Sequence, residues 1–175
     1  MVPALLVRNL PCPTHLPFEY HSYTTHLLLH RPLQDELTLS ILSRAKQSGY
    51  SALVVTVDTM AVGWRPMDID SGFRPFRHSI GCQVGLSDPV FMRTQGLEPL
   101  VDDEGVPAFP YDPRALDELY RSGDAKTTRL MDLADKWNAQ ALNGVFRSWE
   151  DVRFLRKNWD GPLILKGILS VEVRR

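Results

Sequence analysis

Beyond residue 26, apolar residues gather in three short runs, and helical stripes lie between them. The first run, Leu27-Leu28-Leu29, predicts a strand reaching His30. From Asp35 the apolar positions Leu37, Ile41, Leu42 and Ala45 recur at helical spacing. Asp35 can cap this helix and Glu36 suits its positive end. Arg44 and Lys46 suit the last turn, and Gly49 stops it. Ala52 to Val57 follows as a continuous, β-branched run. That pattern predicts a strand buried on both faces, as in a parallel sheet.

The same order returns near the other end of the chain. Ser148 opens a capping box with Asp151 three residues on. Val152, Phe154 and Leu155 supply an apolar side, Arg156 and Lys157 close the helix, and Gly161-Pro162 turns into the strand Leu163 to Lys166. Helix, short stop and buried parallel strand make half of a βαβ repeat. Between the repeats lies a long insertion, residues 77–147. Pro, Gly and Asp crowd its first half, which predicts loop. Asp112-Pro113 then starts a short helix. A second helix is predicted over Thr127 to Leu142, with Leu130, Leu133, Ala134, Trp137 and Ala141 at helical spacing. Residues 1–26, rich in proline, show no period and read as an irregular lead-in before a domain over 27–175.

Composition adds bounds rather than a function. The 175 residues are 43% hydrophobic and 23% charged, with a net charge of −1. That describes a globular chain, and its balanced charge points away from nucleic-acid and polybasic membrane partners. No apolar run approaches the ~18 residues of a membrane span. The start of the chain also lacks a secretory apolar segment, so a cytoplasmic location is the expectation. Cys12 and Cys82 lack metal-ligand spacing, and no metal site is expected. They read as two reduced thiols, with a disulfide between them as the alternative.

The strand ends carry the polar chemistry. Thr56 and Asp58 sit two apart and share a face. Each has a plain alternative: Thr56 as a β-former, Asp58 as a turn or cap residue. Arg65 can bind a carboxylate bidentately or form a surface ion pair. Lys166 ends an apolar strand, so its ammonium needs an anion or a partial negative charge. A cofactor carbonyl, a phosphate or a carboxylate would serve, and so would an ion pair with Asp58.

With these residues in view, two blocks carry a resemblance. ALVVTVDT followed by GWRPMDID and GFRPF, together with WEDVRFLRKNWDGPLILKGILSVE, resembles the FMN-dependent 2-hydroxy-acid dehydrogenases and oxidases. GLSDPVF with GWRP is most similar to the lactate-monooxygenase-like branch. The resemblance implies a TIM (β/α)8 barrel, of which this chain would supply about strands 3 to 5, with the long loop after strand 4. It implies FMN as cofactor, a small 2-hydroxy acid as substrate and a homo-oligomeric full-length form. By the same comparison Thr56 hydrogen-bonds the flavin ring, and Lys166 stands beside the flavin N1/C2 carbonyl. Asp58 holds a catalytic histidine and Arg65 lies near substrate and flavin.

Two departures from that pattern matter. Leu28 stands where the family has a flavin-binding glutamine, and His30 where it has a substrate-site tyrosine. The family's histidine base, a carboxylate-binding arginine and the FMN phosphate loops follow the fifth strand. None of His15, His21, His26, His30 and His78 has that context. The expectation is therefore a flavin oxidoreductase by family, with a catalytically inactive piece as the alternative for these residues alone.

Overall fold

The computed structural model describes residues 26–59, 61–101, 104–107 and 110–170. The proline-rich lead-in and Cys12 lie outside them. Three strands form one parallel sheet in the order β1 (His26–Leu29), β2 (Ala52–Thr56), β3 (Leu163–Lys166). Helix α1 (Asp35–Gln47) links the first two strands. The link from β2 to β3 holds α2 (Pro66–Ser71), α3 (Gln83–Leu86), α4 (Pro89–Thr94), α5 (Pro113–Ser122), α6 (Ala125–Ala141) and α7 (Trp149–Asn158).

Register explains which side of the sheet is covered. The rows Leu27–Leu53–Leu163 and Leu29–Val55–Leu165 share one face. Leu27, Leu29, Leu53 and Val55 are buried there in one core with Leu37, Ile41, Leu42 and Ala45 of α1. Val84, Phe91, Trp137, Leu155 and Trp159 join the same core. Each such side chain contributes at most about 1.5–3 kcal/mol when fully removed from water. The opposite row, Leu28–Val54–Ile164, is only partly covered, and Ile164 is 47% exposed. The expectation of a strand buried on both faces holds for β2, where Ala52 and Thr56 on this face are buried as well as Leu53 and Val55 on the other; only Val54 is partly covered.

Local signals behave as their chemistry requires, with two corrections. Gly49 takes φ +79° after α1, a conformation that costs a residue with a Cβ. Ser148 and Asp151 form a complete capping box at α7, and Asp112 caps α5. Asp35, however, does not cap α1. It is the first helical residue, Gln34 holds the cap position without a side-chain bond, and Asp35 instead pairs with Arg31 at 2.5 Å. Nor is the first half of the insertion merely loop. Short α3 and α4 fold there, because Asp88 accepts from the amides of Val90 and Phe91 with Pro89 in the first turn. Asp88 is fully buried and Arg44 of α1 reaches it at 3.0 Å, which ties the insertion to the first repeat. Among the described residues, no helix is long and apolar enough to cross a membrane.

Candidate functional site

The parallel ladder puts the carboxyl ends of β1, β2 and β3 on one edge. Thr56 and Lys166 are register partners on that edge. Thr56 is 5% exposed, and its Oγ1 is buried with no hydrogen-bond partner among the described residues. A hydroxyl in that state costs about 1–3 kcal/mol, so strand geometry alone does not explain it.

Lys166 makes the ion pair with Asp58 that the sequence offered as one alternative. Its Nζ lies 3.4 Å from Asp58 Oδ1. Both side chains are substantially exposed, 48% for Lys166 and 37% for Asp58. A pair so exposed is worth at most about 1 kcal/mol, so the ammonium exchanges partners cheaply. Partial burial pushes the Asp58 carboxyl up, but the hydrogen bond and charge of Lys166 outweigh it and hold the group below its ordinary value. Gly167 keeps the two together. Its φ is +106°, and a Cβ there would lie 2.4 Å from Asp58 Cγ.

His30 follows β1 and is half-buried, with Nδ1 unpartnered among the described residues. Burial lowers its pKa first, the Lys166 charge lowers it further, and Asp58 opposes both. The imidazole is thus biased towards its neutral form. Leu28 lies in the row with Val54 and presents no polar group. Arg65 precedes α2 and pairs with Asp68 at 3.6 Å. The edge therefore brings Thr56, Asp58, Lys166 and His30 together, while Arg65 stands in the loop beyond.

Two cavities open at this edge. A small polar one is lined by His30, Arg31, Thr56, Thr59, Ala141, Asn143, Val145 and Arg147. A larger, mostly apolar one lies beside it, with Arg65 at its rim and Phe76, Trp137 and Leu142 in its wall. Arg31 and Arg147 were not among the sequence candidates. Arg31 is 8% exposed and bonds Asp151 and Asp35, each at 2.5 Å. Arg147 donates to the Arg31 carbonyl. A buried arginine between two helix starts has no local sequence signature; the capping box at Ser148 was its nearest marker.

His78 is outside this group. Its buried ring lies 3.1 Å from Asp117, which also pairs with Arg74, so it fastens α5 to the start of the insertion. Cys82 is a free, buried thiol whose pKa burial pushes up to about 12, so it stays protonated and unreactive. Among the described residues, no group of three His, Cys, Asp or Glu is placed to hold a metal.

Does a flavin fit? Its ring is a flat, largely apolar body with a rim of carbonyl and ring-nitrogen acceptors. The open row Leu28–Val54–Ile164 offers an apolar bed. At its end Thr56 offers a buried, unpartnered hydroxyl and Lys166 a loosely held cation. The donor set matches such a rim.

Comparison with known proteins gives a consistent answer. A profile of the family described as FMN-dependent dehydrogenase matches residues 23–174. An FMN-dependent alpha-hydroxy acid dehydrogenase of Schizosaccharomyces pombe is 37% identical over 147 residues, 82% of this chain and 30% of its own length. Another, from Penicillium citrinum, is 39% identical over 141 residues, 81% of this chain and 29% of its own. An L-lactate oxidase of Lysinibacillus sphaericus is 29% identical over 154 residues, 86% of this chain and 31% of its own. The chain thus spans just under a third of the length of these relatives.

Proposed function

We propose, from the premise that the chain belongs to the FMN-dependent dehydrogenase family, that it supplies one side of a flavin site at which a small 2-hydroxy acid is oxidised to a 2-oxo acid. The observation that carries this is the pairing of Thr56 and Lys166 at adjacent strand ends, with the threonine hydroxyl buried and unpartnered. On this reading the three strands are consecutive strands of a β/α barrel, about the third to the fifth, and residues 77–147 are its long loop. Chemistry in such a barrel sits at the carboxyl ends of the strands, the edge that holds these residues.

The roles follow from the side chains. Thr56 and Lys166 hold the polar rim of the flavin ring. Lys166 would supply positive charge to a ring that gains negative charge on reduction, and a charge-assisted hydrogen bond is worth about 1.5–3 kcal/mol. Leu28 has no donor to offer a flavin, so it would contribute apolar contact alone. Bound FMN supplies a two-electron acceptor. Asp58 contributes a carboxylate that stays charged, fit to steady a cationic partner. His30, biased neutral, is fit to accept a proton or hydrogen bond from a substrate hydroxyl. Arg65 is the cation at the mouth of the apolar cavity.

The test is direct. The purified chain is incubated with FMN, freed of excess by gel filtration and challenged with a 2-hydroxy acid. A retained yellow colour that the acid bleaches supports the reading, and a colourless protein rejects it. A second reading, binding without turnover, is favoured by one observation: among the described residues Asp58 is engaged by Lys166 and Thr59 rather than by a histidine. It requires a protein that is yellow but not bleached.

A further inference from the structure

We infer that Asp58 serves two partners in turn: Lys166, on which it rests in this structure, and His30, which it takes up once a ligand draws Lys166 away. Asp58 is then the positioning residue of His30, and the imidazole becomes a group whose charged form is answered. The ligand that draws Lys166 away rests on the flavin reading above; the exchange of partners does not.

The sheet places His30 and Lys166 alike. Leu29 pairs with Val55, so His30, the next residue, stands level with Thr56 on one side. Lys166 pairs with Thr56 on the other side, and the ladder runs on, since the Val57 amide donates to the Lys166 carbonyl at 3.0 Å. Asp58 lies two residues beyond Thr56. Neighbouring strands lie about 4.8 Å apart and rise about 3.3 Å per residue, so each flanking residue is about 8 Å from Asp58 along a diagonal. Lys166 makes that reach, with Nζ 3.4 Å from Asp58 Oδ1. His30 occupies the mirror position, half-buried, with Nδ1 unpartnered among the described residues. Thr59, whose hydroxyl donates to the same Oδ1, lines both cavities together with His30, so the Asp58 turn runs beside the imidazole.

The charges around His30 favour the exchange. Arg31 is answered by Asp35 and Asp151, Arg147 by Asp151, and Arg65 by Asp68. Lys166 and Asp58 remain, and they pull the imidazole in opposite directions. Their own bond is exposed at both ends, hence weak and readily traded. An electron-rich ligand at the strand ends offers the ammonium a better partner, and the same movement takes a repelling charge from His30 and frees an attracting one. The half-buried imidazole is screened less than the exposed ammonium, so the carboxylate gains by turning to it. A lysine on Asp58 is then compatible with turnover, because the lysine leaves the carboxylate when it turns to a flavin rim.

An NMR titration of the imidazole signals of the purified 175-residue chain tests this, with the His30 signal assigned by its loss in His30→Gln. Four proteins are compared: the unaltered chain, Lys166→Met, Asp58→Asn, and the two changes together. Lys166→Met is expected to raise the His30 pKa by at least about 0.5 pH unit, and by no more than about half as much in the Asp58→Asn background. Loss of a repelling charge alone gives the same rise in both backgrounds, so equal rises, or none, overturn the inference. Lys166→Gln takes the place of a Lys166→Met that does not fold. FMN added to the unaltered chain is expected to raise the His30 pKa as well, and bound FMN that leaves it unchanged also overturns the inference. Equal rises in a chain that binds FMN remove this inference and leave the flavin reading; unequal rises in a chain that binds no FMN do the reverse.

Discussion

Thr56 and Lys166 face each other across the β2–β3 ladder, one with a buried hydroxyl that bonds nothing in the described structure, the other with an ammonium resting on Asp58. Both sites look under-used in a chain without ligand. A buried donor without an acceptor and a cation with a weak partner are features that stability alone does not select. Each acquires a purpose once a ring with a polar rim lies across the strand ends.

The hydroxyl gives the first expectation. Thr56→Val keeps the shape and removes the unpartnered group, so the ligand-free protein is expected to gain about 1 kcal/mol. The same change is expected to weaken FMN binding severalfold. Urea unfolding and an FMN titration on one variant check both. A loss of stability would show that the hydroxyl already has a partner.

Lys166→Met is expected to behave differently. Its ion pair with Asp58 is exposed, so unfolding should change by less than about 1 kcal/mol. FMN affinity is expected to fall about tenfold or more, as the loss of a charge-assisted hydrogen bond implies. Thermal denaturation and flavin fluorescence separate the two effects.

The network around Arg31 is structural as well as polar. Asp151→Ala removes the capping-box carboxylate of α7 and one of the two partners of a buried guanidinium. The expected cost is about 3 kcal/mol, because an arginine is left buried with half its charge unanswered. Chemical denaturation measures it. Partial burial raises the Asp151 carboxyl, but the Ser148 amide together with Arg31 and Arg147 brings the net shift below the ordinary value. Its stabilisation is therefore full above the unfolded-state pKa near 4 and is lost as pH falls through the lower folded value.

His30 shifts the stability profile at milder pH. Its folded pKa is lowered by burial, then by Lys166, against the opposing pull of Asp58. A depressed histidine leaves stability intact above about pH 6.5 and erodes it as pH falls through the folded value. The melting temperature is expected to drop between pH 7 and 5, and His30→Gln is expected to flatten that drop. An unchanged slope in His30→Gln would assign the loss to other groups.

Much of this was legible in the chain because the signals were local. The stripe of α1, the β-branched run of β2 and the Ser148–Asp151 box each fix an element within one turn or one strand. Asp88-Pro89 was an equally local signal for α4, masked by the surrounding glycine and proline. The uneven cover of the sheet's second face and the Arg31 network were not legible. Which face helices cover, and which residues 120 apart in sequence meet, depend on how the insertion folds back. The Lys166–Asp58 pair lay between these cases: spacing offered it as an alternative, and the Gly167 conformation makes it possible.

The most direct test of the flavin site is an FMN titration of the folded 175-residue chain, followed by quenching of flavin fluorescence. The account requires saturable one-to-one binding that weakens in both Thr56→Val and Lys166→Met. A chain that is folded by circular dichroism yet binds no FMN, or binds it equally well in both variants, would contradict it.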